Sequence, residues 1–124
     1  MARLFLSIAG GAAALAVLLG AFGAHSLKAK LAPDLMAVYQ TAVQYHMWHA
    51  LGLAVIGFAL FHWPNVTLLR LAGSLMLAGM IVFSGSLYLL AVTNVKMLGV
   101  ITPIGGLLLI ASWLVFAWVM YKVK

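Results

Sequence analysis

Four apolar runs, each of about 20 residues or more, take up nearly all of this 124-residue chain. A helix of that length crosses the hydrocarbon core of a bilayer. Hydrocarbon admits only structures whose backbone groups are hydrogen-bonded internally. Charged residues make up 6% of the chain and hydrophobic ones 67%, whereas a soluble domain carries about 25% charged residues. Too few polar residues are present to cover a soluble surface. The expected fold class is all-α: an integral membrane four-helix bundle with up-down-up-down antiparallel topology. It is read as one transmembrane domain over residues 1–124, with helices at about 4–24, 35–63, 67–92 and 99–121.

The net charge of +6 comes from seven cations against one acid, Asp34. Arg3, Lys28, Lys30, Arg70, Lys96, Lys122 and Lys124 all sit at or near the ends of apolar runs. No basic patch interleaved with aromatics tracks a phosphate backbone, so no nucleic-acid partner is expected. Cations at membrane ends snorkel toward anionic headgroups. With no cysteine, disulfides, iron–sulfur clusters and thiol nucleophiles are excluded. The first run begins beside Arg3 and ends on Ala21-Phe22-Gly23-Ala24, small residues that mimic a signal-peptide cleavage point. The run is too long for an ordinary signal core, and it is read as a retained first helix.

Each run carries its own local signals. In the first, Ala12, Ala16, Gly20 and Ala24 recur every four residues, a stripe that lets helix backbones approach closely. Pro33 and Asp34 suit the first turn of the second helix. That helix is longer than a perpendicular span needs and is expected to tilt or to start among the headgroups. Trp63 anchors its far end and Pro64-Asn65 turns the chain. In the third run Ala72, Gly79 and Ser86 lie seven apart on one side.

The polar residues are not spread evenly. Tyr39-Gln40-Thr41-Ala42-Val43-Gln44-Tyr45-His46-Met47-Trp48-His49 is the most polar stretch, and it leads straight into an apolar segment at 50–61. With alternating spans, this stretch shares one side of the membrane with His25, Ser26, Ser84, Ser86, Tyr88 and Thr102. Amides, hydroxyls and imidazoles in lipid are costly unless they face protein, water or a ligand. His25, Gln40, Thr41, Gln44, Tyr45, His46, His49, Ser84, Ser86 and Thr102 are therefore the candidate ligand-binding cluster. Gln44, Tyr45 and His49 are expected nearest its centre. The competing reading is a hydrogen-bonded network that fixes helix register.

Specific chemistries fit less well. Haem would need two histidines at matching depth on facing helices. His25 is at the membrane edge, His46 and His49 are inside, and His62 is at the far end, so no cofactor is expected. His46 and His49 lack a third ligand placed by spacing, so no metal site is expected. A proton-coupled multidrug transporter would need a carboxylate within the membrane. Ser84 and Ser86 have no evident base or oxyanion hole, so no catalytic residue is assigned and no enzymatic activity is expected.

Four motifs together resemble one family. They are Gly20-Ala21-Phe22-Gly23-Ala24-His25-Ser26-Leu27-Lys28, the run from Tyr39 through His49 to Ala50-Leu51, Phe83-Ser84-Gly85-Ser86-Leu87-Tyr88, and Ile101-Thr102-Pro103-Ile104-Gly105-Gly106. They resemble, in order, the bacterial domain-of-unknown-function family numbered four hundred and twenty-three. It comprises small inner-membrane proteins similar to a small mitochondrial transmembrane protein of animals. The resemblance implies four helices and a multi-pass location in the bacterial inner (plasma) membrane. It supplies no activity and no residue roles.

The expected function is that of a non-enzymatic membrane protein whose polar half binds a lipid-like ligand or a partner helix. The expected partners are membrane lipids and a homo-oligomer or larger membrane complex. One alternative is an accessory subunit of a larger membrane complex, of which a respiratory complex is one example; another is an oligomeric channel or transporter. Four cations on the terminal side against three on the other place the termini in the cytoplasm.

Overall fold

A computed structural model describes residues 1–124 and contains helices and short connections only. Helix α1 is Ala2–Phe22, continued by a π-helical turn at Gly23–Leu27; α2 is Pro33–His62, α3 is Thr67–Thr93 and α4 is Leu98–Lys122. Each helix packs antiparallel on its neighbour in sequence, and the α3–α4 contact is the most extensive. The architecture is the four-helix up-down-up-down bundle expected from the apolar runs.

The helix ends follow from local chemistry. Pro33 opens α2, with Asp34 in the first turn, where a missing N–H is harmless and a carboxylate meets the positive helix end. Asn94 closes α3 in the left-handed conformation (φ 54°), and its N–H bonds the Leu90 carbonyl at 2.8 Å. Asparagine tolerates that conformation better than most residues. The first helix runs three residues past its expected end, because the π-helical turn carries it through Leu27.

Three segments are long and apolar enough to cross a membrane: Ala2–Leu27, Thr67–Thr93 and Leu98–Lys122. This corrects the expectation of four such runs. The polar stretch occupies the first half of α2, and only the segment at 50–61 is apolar throughout. At 30 residues, α2 is nevertheless about 45 Å long, enough to run beside the other three.

The main core lies in the half of the bundle nearer the termini. Leu53, Ile56, Leu60, Leu69 and Met76 are fully buried there, with Phe5 and Ala9 from α1 and Leu109 and Val119 from α4. A wide belt of apolar residues points outward instead, including Leu18, Phe58, Ile81, Val100, Leu107 and Leu114. In water such a belt would drive aggregation; in a bilayer it is the lipid-facing surface.

Glycines set the closest approaches. A Cβ on Gly105 of α4 would lie 2.4 Å from the backbone nitrogen of Phe83 on α3. A Cβ on Gly79 of α3 would lie 2.9 Å from the backbone nitrogen of Leu109. The α3 and α4 backbones are thus in near contact at two levels, as in membrane helix pairs built on small residues.

Candidate functional site

The polar half divides into three regions, set by which face of its helix each residue occupies. The first lies between α2 and α3. Ser84 donates to the Ala42 carbonyl at 2.9 Å, and His46 Nδ1 is 3.0 Å from the Tyr88 hydroxyl. Tyr45 packs on Phe83, with ring centroids 4.5 Å apart, and stacks on His49 at 5.7 Å. His49 Nδ1 lies 2.6 Å from the Tyr45 carbonyl. A carbonyl only accepts, so His49 Nδ1 carries a proton in this contact. His46, Ser84 and Tyr88 also line a largely apolar cleft of about 240 Å³, together with Leu15 and Leu19 of α1 and Met80 and Ile81 of α3.

The second region joins α3 to α4. The Ser86 and Thr102 hydroxyls are 2.6 Å apart. Ser86 also reaches the Phe83 carbonyl at 2.9 Å, and Thr102 the Leu98 carbonyl at 3.3 Å. No histidine, amide or tyrosine joins them.

The third region is an open groove between α1 and α2, about 420 Å³ in volume. Gly20 and Ala24 form the α1 wall; Met36, Tyr39, Gln40, Val43 and Gln44 form the α2 wall. The groove opens along the last two residues of the small-residue stripe, beside the close contact of Gly23 with Tyr39. Ala16 is fully buried, Gly20 sits against Val43, and Ala24 is exposed. At the base, the Tyr39 hydroxyl donates to the Leu19 carbonyl, in the last turn before the π-helical segment. The Tyr39 ring lies where a Cβ on Gly23 would be, 2.3 Å from its Cε1, so only glycine fits beneath it. Gln40 and Gln44 are both exposed, one turn apart, and neither amide has a hydrogen-bond partner in the protein.

This arrangement corrects the expectation of a single cluster. Gln44 is not at its centre: it faces away from His46, Ser84 and Ser86, and Gln40 goes with it. At about 100° per residue, Gln44 and His46 fall on opposite sides of α2. Thr41 bonds its own helix, at the Ala37 carbonyl 3.1 Å away, and reaches no other element. His25 is exposed in the π-helical turn and contacts none of the other candidates. The structure does bring together Tyr45 with His49, His46 with Tyr88, Ser84 with Ala42, and Ser86 with Thr102. No group of three histidine or acidic side chains converges anywhere.

Two residues important to this geometry lie outside the candidate set. Tyr39 shapes the groove, and its position at the head of the polar stretch was the available signal. Ser112 of α4 is fully buried and donates to the Ala72 carbonyl at 2.7 Å, in the half that holds the apolar core. Its only signal was a lone serine inside an apolar run.

Apolar outward surfaces, three membrane-length helices and polar groups gathered at one end define a multi-pass helical membrane protein. The family described as protein of unknown function (DUF423) matches residues 19–106, and the chain belongs to it. The chain is 47% identical over 112 residues to the UPF0382 membrane protein YwdK of Bacillus subtilis, covering 90% of this chain and 91% of that protein. It is 46% identical over 114 residues to the UPF0382 membrane protein SH2409 of Staphylococcus haemolyticus, with 90% of each covered. It is 41% identical over 122 residues to SAB0533, a UPF0382 membrane protein of Staphylococcus aureus, with 97% of each covered. No solved structure matches the chain.

Proposed function

We propose that this is a non-enzymatic, multi-pass protein of the bacterial inner membrane that holds a lipid-like molecule in the groove between α1 and α2. One observation carries the reading. Gln40 and Gln44 expose two adjacent amides beside a groove of about 420 Å³, without partners in the protein. Polar groups facing lipid unsatisfied cost several kcal/mol each, so a molecule that pairs with them gains what bare acyl chains cannot supply.

Depth narrows the chemistry. Gln40 and Gln44 lie seven and eleven residues beyond Pro33, about 10 and 17 Å along the helix. A helix of about 45 Å centred on a hydrocarbon core of about 30 Å leaves about 7 Å outside at each end, so the two amides would lie about 3 and 9 Å below the headgroup–hydrocarbon boundary. The occupant that fits carries carbonyl oxygens at the top of a long apolar tail, as acyl esters or a quinone ring do. Met36, Val43 and Ala24 would line that tail. The serines support a non-enzymatic role, since the Ser84 and Ser86 hydroxyls are engaged with carbonyls and with Thr102 and neither is hydrogen-bonded to a histidine.

A second reading is an accessory subunit that seats a partner helix in the same groove. It is favoured by Gly20 and Ala24, small residues that permit close helix approach.

Organic extraction of protein purified in mild detergent, followed by mass spectrometry, tests the first reading. Wild type should carry a near-stoichiometric lipid or quinone, and the Gln40→Leu/Gln44→Leu variant should lose it while keeping its helical circular dichroism. Equal content in both proteins would refute it. Comigration with larger proteins that depends on the two glutamines would select the second reading.

A further inference from the structure

At the opposite end of the molecule from the glutamine groove, a cleft of about 470 Å³ lies where three elements meet. Arg3 enters it from the start of α1, Asn65 from the turn after α2, and Arg70 from the first turn of α3. Leu60 and Phe61 of α2, with Ala2 of α1, provide its apolar part. We infer that this cleft binds the phosphate of an anionic lipid, with Arg3 and Arg70 on the phosphate and the apolar part against the first carbons of its chains.

Two features separate this place from cations that merely snorkel. First, guanidinium groups distant in sequence line one cleft, and neither has a carboxylate partner. Asp34, the only acidic side chain, is at the far end of α2. Second, Arg70 is held in place. Its Nη2 donates to the Pro64 carbonyl at 2.7 Å, which fixes the head of the side chain across the turn. A guanidinium has five N–H donors in a rigid fork, so one bond to a carbonyl leaves the others for a planar, two-point contact to phosphate oxygens. Arg3 makes no bond within the protein and is free to close from the other side. Asn65 adds an amide donor at the rim.

A wholly aqueous anion would leave Leu60 and Phe61 unused. A neutral lipid would leave two positive charges uncompensated in a region of reduced dielectric. The phosphate of an anionic glycerolipid satisfies both parts of the lining. Attraction of this kind weakens with salt, as the Debye length shrinks.

The test uses the purified full chain in uncharged detergent, with dioctanoyl phosphatidylglycerol, dioctanoyl phosphatidylcholine or sodium phosphate as probes. Ligand that binds the folded state raises the unfolding temperature by mass action. Phosphatidylglycerol should raise it by more than phosphatidylcholine does, since acyl esters taken up by the groove between α1 and α2 contribute equally to both. Arg3→Gln should weaken the apparent affinity about tenfold, the size expected for losing one charge-assisted hydrogen bond. Because Arg3 bonds nothing in the protein, that variant tests the site even where Arg70→Gln disturbs the turn. Lys28→Gln/Lys30→Gln, removing two charges at the other membrane face, should behave as wild type. In Gln40→Leu/Gln44→Leu the excess of the phosphatidylglycerol response over the phosphatidylcholine response should persist, which separates this site from the groove between α1 and α2. Competition by sodium phosphate would show that the phosphate alone is recognised, and its failure to compete that the chains are needed; either outcome supports the site. An unchanged response in Arg3→Gln, or an equal loss in the lysine variant, would overturn it.

Discussion

Gln44 and His46 are two residues apart, yet one faces the groove beside α1 and the other the α2–α3 contact. That separation changes how mutations should combine. Ser86 and Thr102 share a hydrogen bond of 2.6 Å, so Ser86→Ala and Thr102→Val should be non-additive. Interhelical side-chain bonds in membrane proteins are worth about 0.6 kcal/mol on average. Each hydroxyl also has a carbonyl partner in its own helix, which keeps the expected coupling near that average. Gln44→Leu and Ser86→Ala share no partner and should add to within about 0.5 kcal/mol. Double-mutant cycles of unfolding in detergent measure both quantities. A coupling larger than that between Gln44 and Ser86 would restore the single network expected from the sequence.

At the scale of elements, α3 organises the bundle by presenting one stripe to α4. The carbonyl of Ala72 accepts from Ser112, Gly79 abuts Leu109, and Ser86 meets Thr102. These three positions are seven apart, two helical turns, and their partners run in the opposite order along an antiparallel helix. The stripe was legible in the sequence, although which helix it faced was not. Gly105 completes the contact from the α4 side. Gly105→Ala should destabilise the protein by about 1–3 kcal/mol, as overpacking does, because the new methyl group meets backbone that cannot move aside. Gly10→Ala, where nothing lies within 4 Å, should be neutral or stabilise by up to about 1 kcal/mol through helix propensity. Thermal unfolding of the two variants side by side gives the comparison. Equal effects would mean that the α3–α4 approach is looser than described.

For the whole molecule, the proposed orientation has both termini and the α2–α3 turn in the cytoplasm. The charge difference behind it is small: Arg3, Arg70, Lys122 and Lys124 against Lys28, Lys30 and Lys96. Single cysteines in this cysteine-free chain decide it. Asn65→Cys marks the α2–α3 turn. Val95→Cys is the better marker for the other side, since the adjacent Asn94 occupies a left-handed conformation that cysteine would strain. An impermeant thiol reagent added to intact cells should label Val95→Cys and leave Asn65→Cys unlabelled. The reverse pattern would invert the protein, and with it the leaflet facing the arginine cleft.

Membrane residence, the four helices and their alternation were determined by the sequence alone. They depend on quantities that add along the chain: apolar length, scarcity of charge, and punctuation by Pro33, Pro64 and Asn94. The gathering of polar groups at one end was also legible, because alternating spans map position in sequence directly onto depth. Direction around each helix was not fixed in this way. Thr41, Gln44, Tyr45 and His46 have similar depth and similar polarity, and only the packing of α1 and α3 against α2 decides which are enclosed. Likewise Arg3 and Arg70 are both simply membrane-end cations until folding brings the start of α1 against the α2–α3 turn. Polarity along a strand of sequence sets depth by a transfer free energy that each residue carries by itself. Neighbourhood is a property of pairs of residues from different helices, and it appears only when the helices pack.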